Sequence, residues 1–261
     1  MEPEKSSAII LKVVDFSETS CVVTMFTRSL GKITALAKGA RRPKGPFESA
    51  IDVLAICRIV FLHKTNDSMD LLTEAKLDRR FRSSSRDLQR LYCGYYIVEL
   101  LRMLTDEADP HPEVFDMAID AIKEIDGEGE PAKTVINFES GLLQSLGHTP
   151  MLTRCATCGI SKTRIDRVHF GLNDGGLLCN DCCRGKSAIK VLGSDCLQLL
   201  LDLFDVKLEH GNDEADNASN SKDDTRLSER KGYREARQLM NQYLNHLVGH
   251  QIRLQKYIEN L

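Results

Sequence analysis

Three observations predict an α+β chain: a five-stranded barrel at the N-terminus, then helices carrying an inserted four-cysteine module. Residues 6–78 hold five short apolar runs separated by turn residues, the pattern of a small barrel. From residue 84 the apolar spacing changes to a helical period. Between two of the helical stretches, Cys155, Cys158, Cys179 and Cys182 form two C-x2-C pairs twenty residues apart.

The strands come first. Ala8–Val14 is the first expected strand and Cys21–Phe26 the second. Lys32–Lys38 is the third, Ile51–Leu62 a long fourth, and Met69–Leu77 the fifth. The turns between them are 17–20, 29–31, 43–46 and 66–68, rich in Ser, Gly, Pro, Asn and Asp. Five short strands in so few residues fit an OB-fold, with an SH3-like barrel as the structural alternative. This first domain spans residues 1–80, and a helical domain spans 81–261.

In the helical domain, Ser83–Ser85 offer N-caps, and Leu88, Leu91, Tyr95, Val98 and Leu101 form one stripe. Pro112 begins a second helix through Phe115, Ala118, Ile122 and Ile125. Pro131 begins a third through Val135, Phe138 and Leu142, and Gly147 stops it. Ser194 caps a fourth, with Leu197, Leu200, Leu201 and Phe204. Residues 210–225 are polar, acidic and aperiodic, and are expected to be a disordered loop. A long fifth helix runs through Tyr233, Ala236, Met240 and Leu244, and a short last one lies within 252–261.

The cysteine module at 150–186 carries the strongest chemical signal. Two C-x2-C pairs supply four thiolates, the donor set of a tetrahedral structural zinc site. Gly159 follows the second cysteine, where a tight turn is needed. Val168-His169-Phe170 and the Gly175-Gly176 turn between the pairs suggest the hairpin of a zinc ribbon. Four sulfurs close the coordination sphere, so the ion, one per chain, is expected to hold the fold rather than carry out catalysis. Cys183 is one residue too far from Cys179 for the knuckle, and His169 reads as a strand side chain. Cys21, Cys57, Cys93, Cys183 and Cys196 read as reduced, mostly buried thiols.

Charge gives a second candidate site. The net charge is only −3, so binding to a polyanion must rest on local clusters. Arg28, Lys32, Lys38, Arg41, Arg42 and Lys44 form such a cluster with no acid between them. It spans a strand and the loop after it, where cations can neutralise nucleic-acid phosphates. No aromatic interrupts the cluster, which points to backbone contact with little sequence preference. A second group, Arg79, Arg80, Arg82, Arg86 and Arg90, follows the barrel. Catalytic signatures are missing: there is no H-E-x-x-H, Walker A or G-x-S-x-G. No apolar run approaches the ~20 residues of a membrane span. Met1–Lys5 lacks the basic start and apolar core of a signal peptide, so a cytoplasmic location is expected.

Together these residues resemble the bacterial RecO family. The resemblance rests on Gly31-Lys-Ile-Thr-Ala-Leu-Ala-Lys-Gly-Ala-Arg-Arg42, on Phe138–Gly147 leading to Cys155-Ala-Thr-Cys158-Gly159, and on Phe170–Cys182. It covers nearly the whole chain. It implies a non-enzymatic DNA repair and recombination mediator that binds single- and double-stranded DNA and anneals complementary strands. It also implies loading of the recombinase RecA, together with RecR, onto single strands coated by SSB, and association with the nucleoid during repair. The SSB contact it implies is an acidic, apolar C-terminal tail docking on the helical domain. The Leu88–Leu101 stripe with Arg86, Arg90 and Arg102 offers a groove and cations for such a tail. The rival readings are a zinc-dependent nuclease or deaminase, which a closed four-thiolate site disfavours, and a zinc-ribbon RNA-binding protein of transcription or translation.

Overall fold

The computed structural model describes residues 3–42, 46–47, 50–63, 69–83, 87–161, 167–206 and 222–259. Its residues group into two compact units, Met1–Phe138 with Arg253–Leu261, and Glu139–Ile252.

The first unit begins with a closed barrel in the order β1-β2-β3-β5-β4. Its strands are β1 (Pro3–Asp15), β2 (Cys21–Thr27), β3 (Gly31–Ala37), β4 (Ile56–Leu62) and β5 (Asp70–Arg79). The first three form a meander, β4 pairs antiparallel with β1 and β5, and a parallel β3–β5 pairing closes the ring. This is the OB-fold topology. Alternation in β2 and β3 sends Cys21, Val23, Met25, Ile33, Ala35 and Ala37 into one core with Ile10, Ile59, Phe61 and Leu72. The expected strand from Ile51 is shorter, because Leu54 adopts a left-handed φ of 72° and breaks the extended run. Leu54 and Ala55 instead bond back to Ile10 across the barrel. β1 in turn is longer than expected, and bulges between Ile10 and Lys12.

Three helices follow: α1 (Leu88–Leu104), α2 (Pro112–Asp126) and α3 (Pro131–Ser145). Asp87, rather than a residue of 83–85, caps α1, its carboxylate accepting from the N–H groups of Gln89 and Arg90. Residues 84–86 lie outside the described residues. Pro112 opens α2 as its spacing predicts. The chain end returns to α1: α6 (Gln255–Ile258) stacks Tyr257 on Tyr92 at 4.4 Å. The buried Glu99 carboxylate accepts from the N–H groups of Arg253 and Leu254.

The second unit contains a sheet in the order β7-β6-β8, built from β6 (Arg167–Gly171), β7 (Gly176–Leu178) and β8 (Ile189–Gly193). The sequence suggests only the β6–β7 hairpin; β8 adds an antiparallel partner to β6 beyond the expected end of the module at 186. Helix α4 (Ser194–Leu203) follows, with Gly193 rather than Ser194 at its N-cap position. Helix α5 is Lys222–Val248. Residues 222–225 of the expected acidic loop are therefore helical, while 210–221 lie outside the described residues. Arg237 on α5 is bidentate to Glu139 on α3 at 2.6 Å for each bond, with both side chains buried, and it also donates to Asn241. Among the described residues, no helix is long and apolar enough to cross a membrane.

Candidate metal centre and nucleic-acid interface

The two C-x2-C pairs meet. The sulfurs of Cys155, Cys158, Cys179 and Cys182 all lie within 4.8 Å of one another. Each pair sits in a chain reversal. In the first, Gly159 takes a φ of 75° and its N–H returns to the Cys155 carbonyl at 2.9 Å. In the second, the Cys183 N–H returns to the Cys179 carbonyl at 3.0 Å. The sheet sets one reversal against the other: β7 runs directly into Cys179, and the N–H of Ala156 donates to Leu177 at 2.7 Å. Lys186 bridges Thr157 and Asp174 and ties the second knuckle to the hairpin turn.

Three observations fit a metal ion. Tetrahedral Zn–S bonds of about 2.3 Å place neighbouring sulfurs about 3.8 Å apart, and Cys158 and Cys179 lie at 3.8 Å. Backbone N–H groups point at the sulfurs, Cys179 N–H to Cys155 Sγ and Cys182 N–H to Cys179 Sγ, each at 3.4 Å. The thiols also push one another apart in acidity. Burial opposes ionisation of Cys155, yet the backbone donors of Cys158, Cys179 and Thr157 outweigh it and bring that thiol down to about 6. The N–H of Cys182 likewise lowers Cys179. Cys182 is pushed up to about 12, chiefly by the sulfurs of Cys179 and Cys158 beside it. Thiolates so close cannot all ionise together unless a cation sits among them. The donor set can thus hold a metal ion, with no ligand position left open.

Cys183 turns away, its Sγ directed to the Asn180 carbonyl at 3.3 Å. Among the described residues, His169 is not part of the sulfur cluster, and it lies in β6 with a buried Nδ1 that finds no hydrogen-bond partner there. Cys21, Cys57, Cys93 and Cys196 are buried, as expected. Burial pushes the thiols of Cys57 and Cys196 up to about 12.

The structure divides the basic cluster in two. At one end of the β2–β3 outer face, the segment after α1 and the start of α2 cover the barrel. Arg28 is bidentate to Asp116 at 3.0 and 2.8 Å. The Lys32 ammonium donates to the carbonyls of Arg102, at 2.9 Å, and Thr105, and burial lowers its pKa. Phe26 packs on Phe115 with ring centroids 6.2 Å apart. Gly31 approaches Asp109 so closely that a Cβ would stand 2.1 Å from the Asp109 carbonyl oxygen. At the other end, Lys38, Arg41 and Arg42 are exposed. Lys38 and Arg42 have no ion-pair partner among the described residues, and Arg41 pairs with Asp15. Lys44 lies outside the described residues.

The second basic group is largely engaged. Arg79 pairs with Asp126 at 2.8 Å, and the N–H groups of Arg82 and Ser83 donate to that same carboxylate at 2.6 and 2.9 Å. Arg90 donates to the carbonyls of Ile125 and Gly129. Arg86 lies outside the described residues.

The comparisons with known proteins agree with this arrangement. The family model described as "Recombination protein O N terminal" matches residues 1–81, and "Recombination protein O C terminal" matches 85–256. The chain is 44% identical over 262 residues to the DNA repair protein RecO of Rhodopirellula baltica, covering 96% of this chain and 97% of that one. It is 28% identical to the protein of the same name from Anaeromyxobacter dehalogenans strain 2CP-1, covering 100% and 98%. It is 31% identical to that of Salinibacter ruber over 66% of each chain. With both halves matched in order and a relative of this similarity over nearly its full length, the chain belongs to the RecO family of DNA repair and recombination proteins.

Proposed function

We propose that this protein is a non-enzymatic recombination mediator. It binds single- and double-stranded DNA, anneals complementary strands, and helps load the recombinase RecA onto SSB-coated single strands together with RecR. In this reading the barrel, residues 1–80, holds DNA, and the helical region, 81–261, carries the zinc module and meets SSB. The observation that carries it is the exposed basic loop of Lys38, Arg41 and Arg42 at the open end of an OB-fold face, in a chain of the RecO family. Such cations bind phosphate and release counterions without reading bases. Bound at the four sulfurs, zinc would supply thiolate charge neutralisation and a cross-link between the two knuckles, and no reactive water.

The test is annealing of complementary oligonucleotides by the purified chain, alone and with matching SSB. Faster annealing in both cases is expected. Parallel binding to single-stranded DNA and to RNA of the same sequence separates this reading from an RNA-binding ribbon protein. Preference for RNA, with no annealing of DNA, would overturn it.

A further inference from the structure

The basic loop is not alone at the open end of the barrel. The hairpin joining β1 and β2 ends beside it, and its tip carries Phe16. At 65% exposure, Phe16 is the most exposed large apolar side chain among the described residues, and Val14 is 44% exposed. The two loops are tied together. Asp15 pairs with Arg41, the Arg41 N–H donates to the Thr19 carbonyl at 3.1 Å, and the Gly39 N–H donates to Ser20 Oγ at 3.2 Å. Within the tip, the N–H groups of Phe16 and Ser17 donate to the Ser20 carbonyl, and Ser17 Oγ accepts from the Ser20 N–H. The aromatic ring is therefore carried on a braced turn whose position is fixed against Arg41.

The same face continues down the strands. Past the bulge in β1, Val13 packs against the barrel core, so Lys12 and Val14 point outward. Their cross-strand partners are Thr24 and Val22, and the partners of those are Thr34 and Leu36. The Thr24 and Thr34 hydroxyls meet at 3.3 Å, which places that row on one face. The open surface is thus a patch of Val14, Val22 and Leu36 with an aromatic at its upper corner. Lys12 borders it on β1, and Lys38, Arg41 and Arg42 rim its upper end.

An apolar patch with an exposed ring and a cationic rim complements a ligand that has flat apolar faces strung on an anionic backbone. In duplex DNA those faces are stacked away; in a single strand they are free. Resting on the proposed DNA-binding function, we infer that Phe16 is a base-stacking residue, and that this corner of the barrel takes an unpaired base while Lys38, Arg41 and Arg42 hold the flanking phosphates. The contact makes the barrel prefer single strands to duplex, a preference that the cations alone do not give.

The chain contains no tryptophan, so Phe16→Trp in the full-length protein creates a unique fluorescent reporter at the tip. The probes are an oligothymidylate and an abasic oligonucleotide of equal length, with the same phosphates and no bases. Oligothymidylate is expected to quench the Phe16→Trp emission, and the abasic strand to leave it unchanged. Phe16→Ala is expected to weaken oligothymidylate binding roughly 5- to 150-fold, the loss of one stacked base, while leaving the salt slope as in the wild type. It should scarcely alter abasic or duplex binding, and Phe16→Trp should retain wild-type affinity. If the wild type binds oligothymidylate but Phe16→Ala binds it equally well and Phe16→Trp emission stays unchanged, the stacking role is wrong and the DNA-binding function stands. If the wild type binds no oligonucleotide at all, both fall. Quenching by an acidic apolar peptide, or by protein concentration alone, with none by oligothymidylate would assign the tip to a protein partner or a second copy and overturn the inference.

Discussion

Cys158 is the exposed member of the four cysteines, and its sulfur stands at tetrahedral spacing, 3.8 Å from that of Cys179. Three sulfurs bind zinc less tightly than four and leave an open position. Cys158→Ser is therefore expected to reduce bound zinc from one per chain toward zero after dialysis against a chelator, measured by elemental analysis. The wild type should keep its ion. Zinc missing from freshly purified, reduced wild type would refute the assignment. Asp126 shows a different kind of dependence. Its side chain is only 3% exposed, and it accepts from Arg79 and from the N–H groups of Arg82 and Ser83. Burial works against the carboxylate, but these donors outweigh it and hold the pKa below its ordinary value of 3.8. A carboxyl group depressed in the folded state stabilises the fold fully above its unfolded value, and that contribution is lost as pH falls through the lower folded value. Asp126→Ala should cost about 1–3 kcal/mol at neutral pH, because two N–H groups lose their acceptor. The deficit relative to wild type should shrink only below about pH 3.8, as followed by thermal melts across pH.

At the scale of elements, two joints carry specific risk. Between α3 and α5, the Arg237–Glu139 pair is 4% and 0% exposed. Removing one partner leaves a buried charge without its counter-ion, so Arg237→Ala should destabilise the chain by about 3–5 kcal/mol. An apolar replacement of both residues should recover much of that loss, a comparison that denaturant titration can make. The second joint is Gly31. It has a φ of 69°, and a Cβ there would run into the backbone of Asp109. The neighbouring contacts belong to the same seam: the Ala108 N–H donates to the Lys32 carbonyl at 3.0 Å, and the Lys32 ammonium reaches the end of α1. Gly31→Ala should cost at least about 1 kcal/mol and raise amide exchange at Ala108. Unchanged melting would mean that this segment does not press on the barrel as described.

For the whole molecule, the proposed function makes electrostatics measurable. Replacing Arg41, Arg42 and Lys44 by Ala should weaken binding to all single strands alike. The log–log salt slope should flatten by roughly 0.7 per phosphate contact removed. An unchanged slope would move the phosphate contacts to another surface. The same reading predicts that an acidic peptide with an apolar C-terminus, like the tail of SSB, binds the intact chain weakly and less well as salt rises. Deleting its last apolar residue should abolish that binding in a fluorescence titration.

The sequence by itself determined the five barrel strands in outline, the helical stripes and the four cysteines whose sulfurs cluster, because each is written in local spacing. Alternation of period two marks β2 and β3, the helical period marks α1 to α3, and a C-x2-C pair closes a knuckle within a few residues. Where the local pattern was ambiguous, structure decided. Leu54 lies inside an apolar run yet turns, because it answers Ile10 across the barrel. β8 has no counterpart in the local pattern and becomes a strand through its pairing with β6. The basic cluster shows the difference most clearly. In the chain it is one acid-free run, but folding brings Asp116 and the end of α1 onto Arg28 and Lys32, and leaves Lys38, Arg41 and Arg42 outside. Phe16 precedes that run by twelve residues in the chain, and local spacing does not mark it as part of a site. Its place beside Arg41 depends on a hairpin and a loop meeting through Asp15 and Thr19. Spacing along the chain reports what a residue does to its neighbours, while proximity between distant segments is fixed only when the barrel closes.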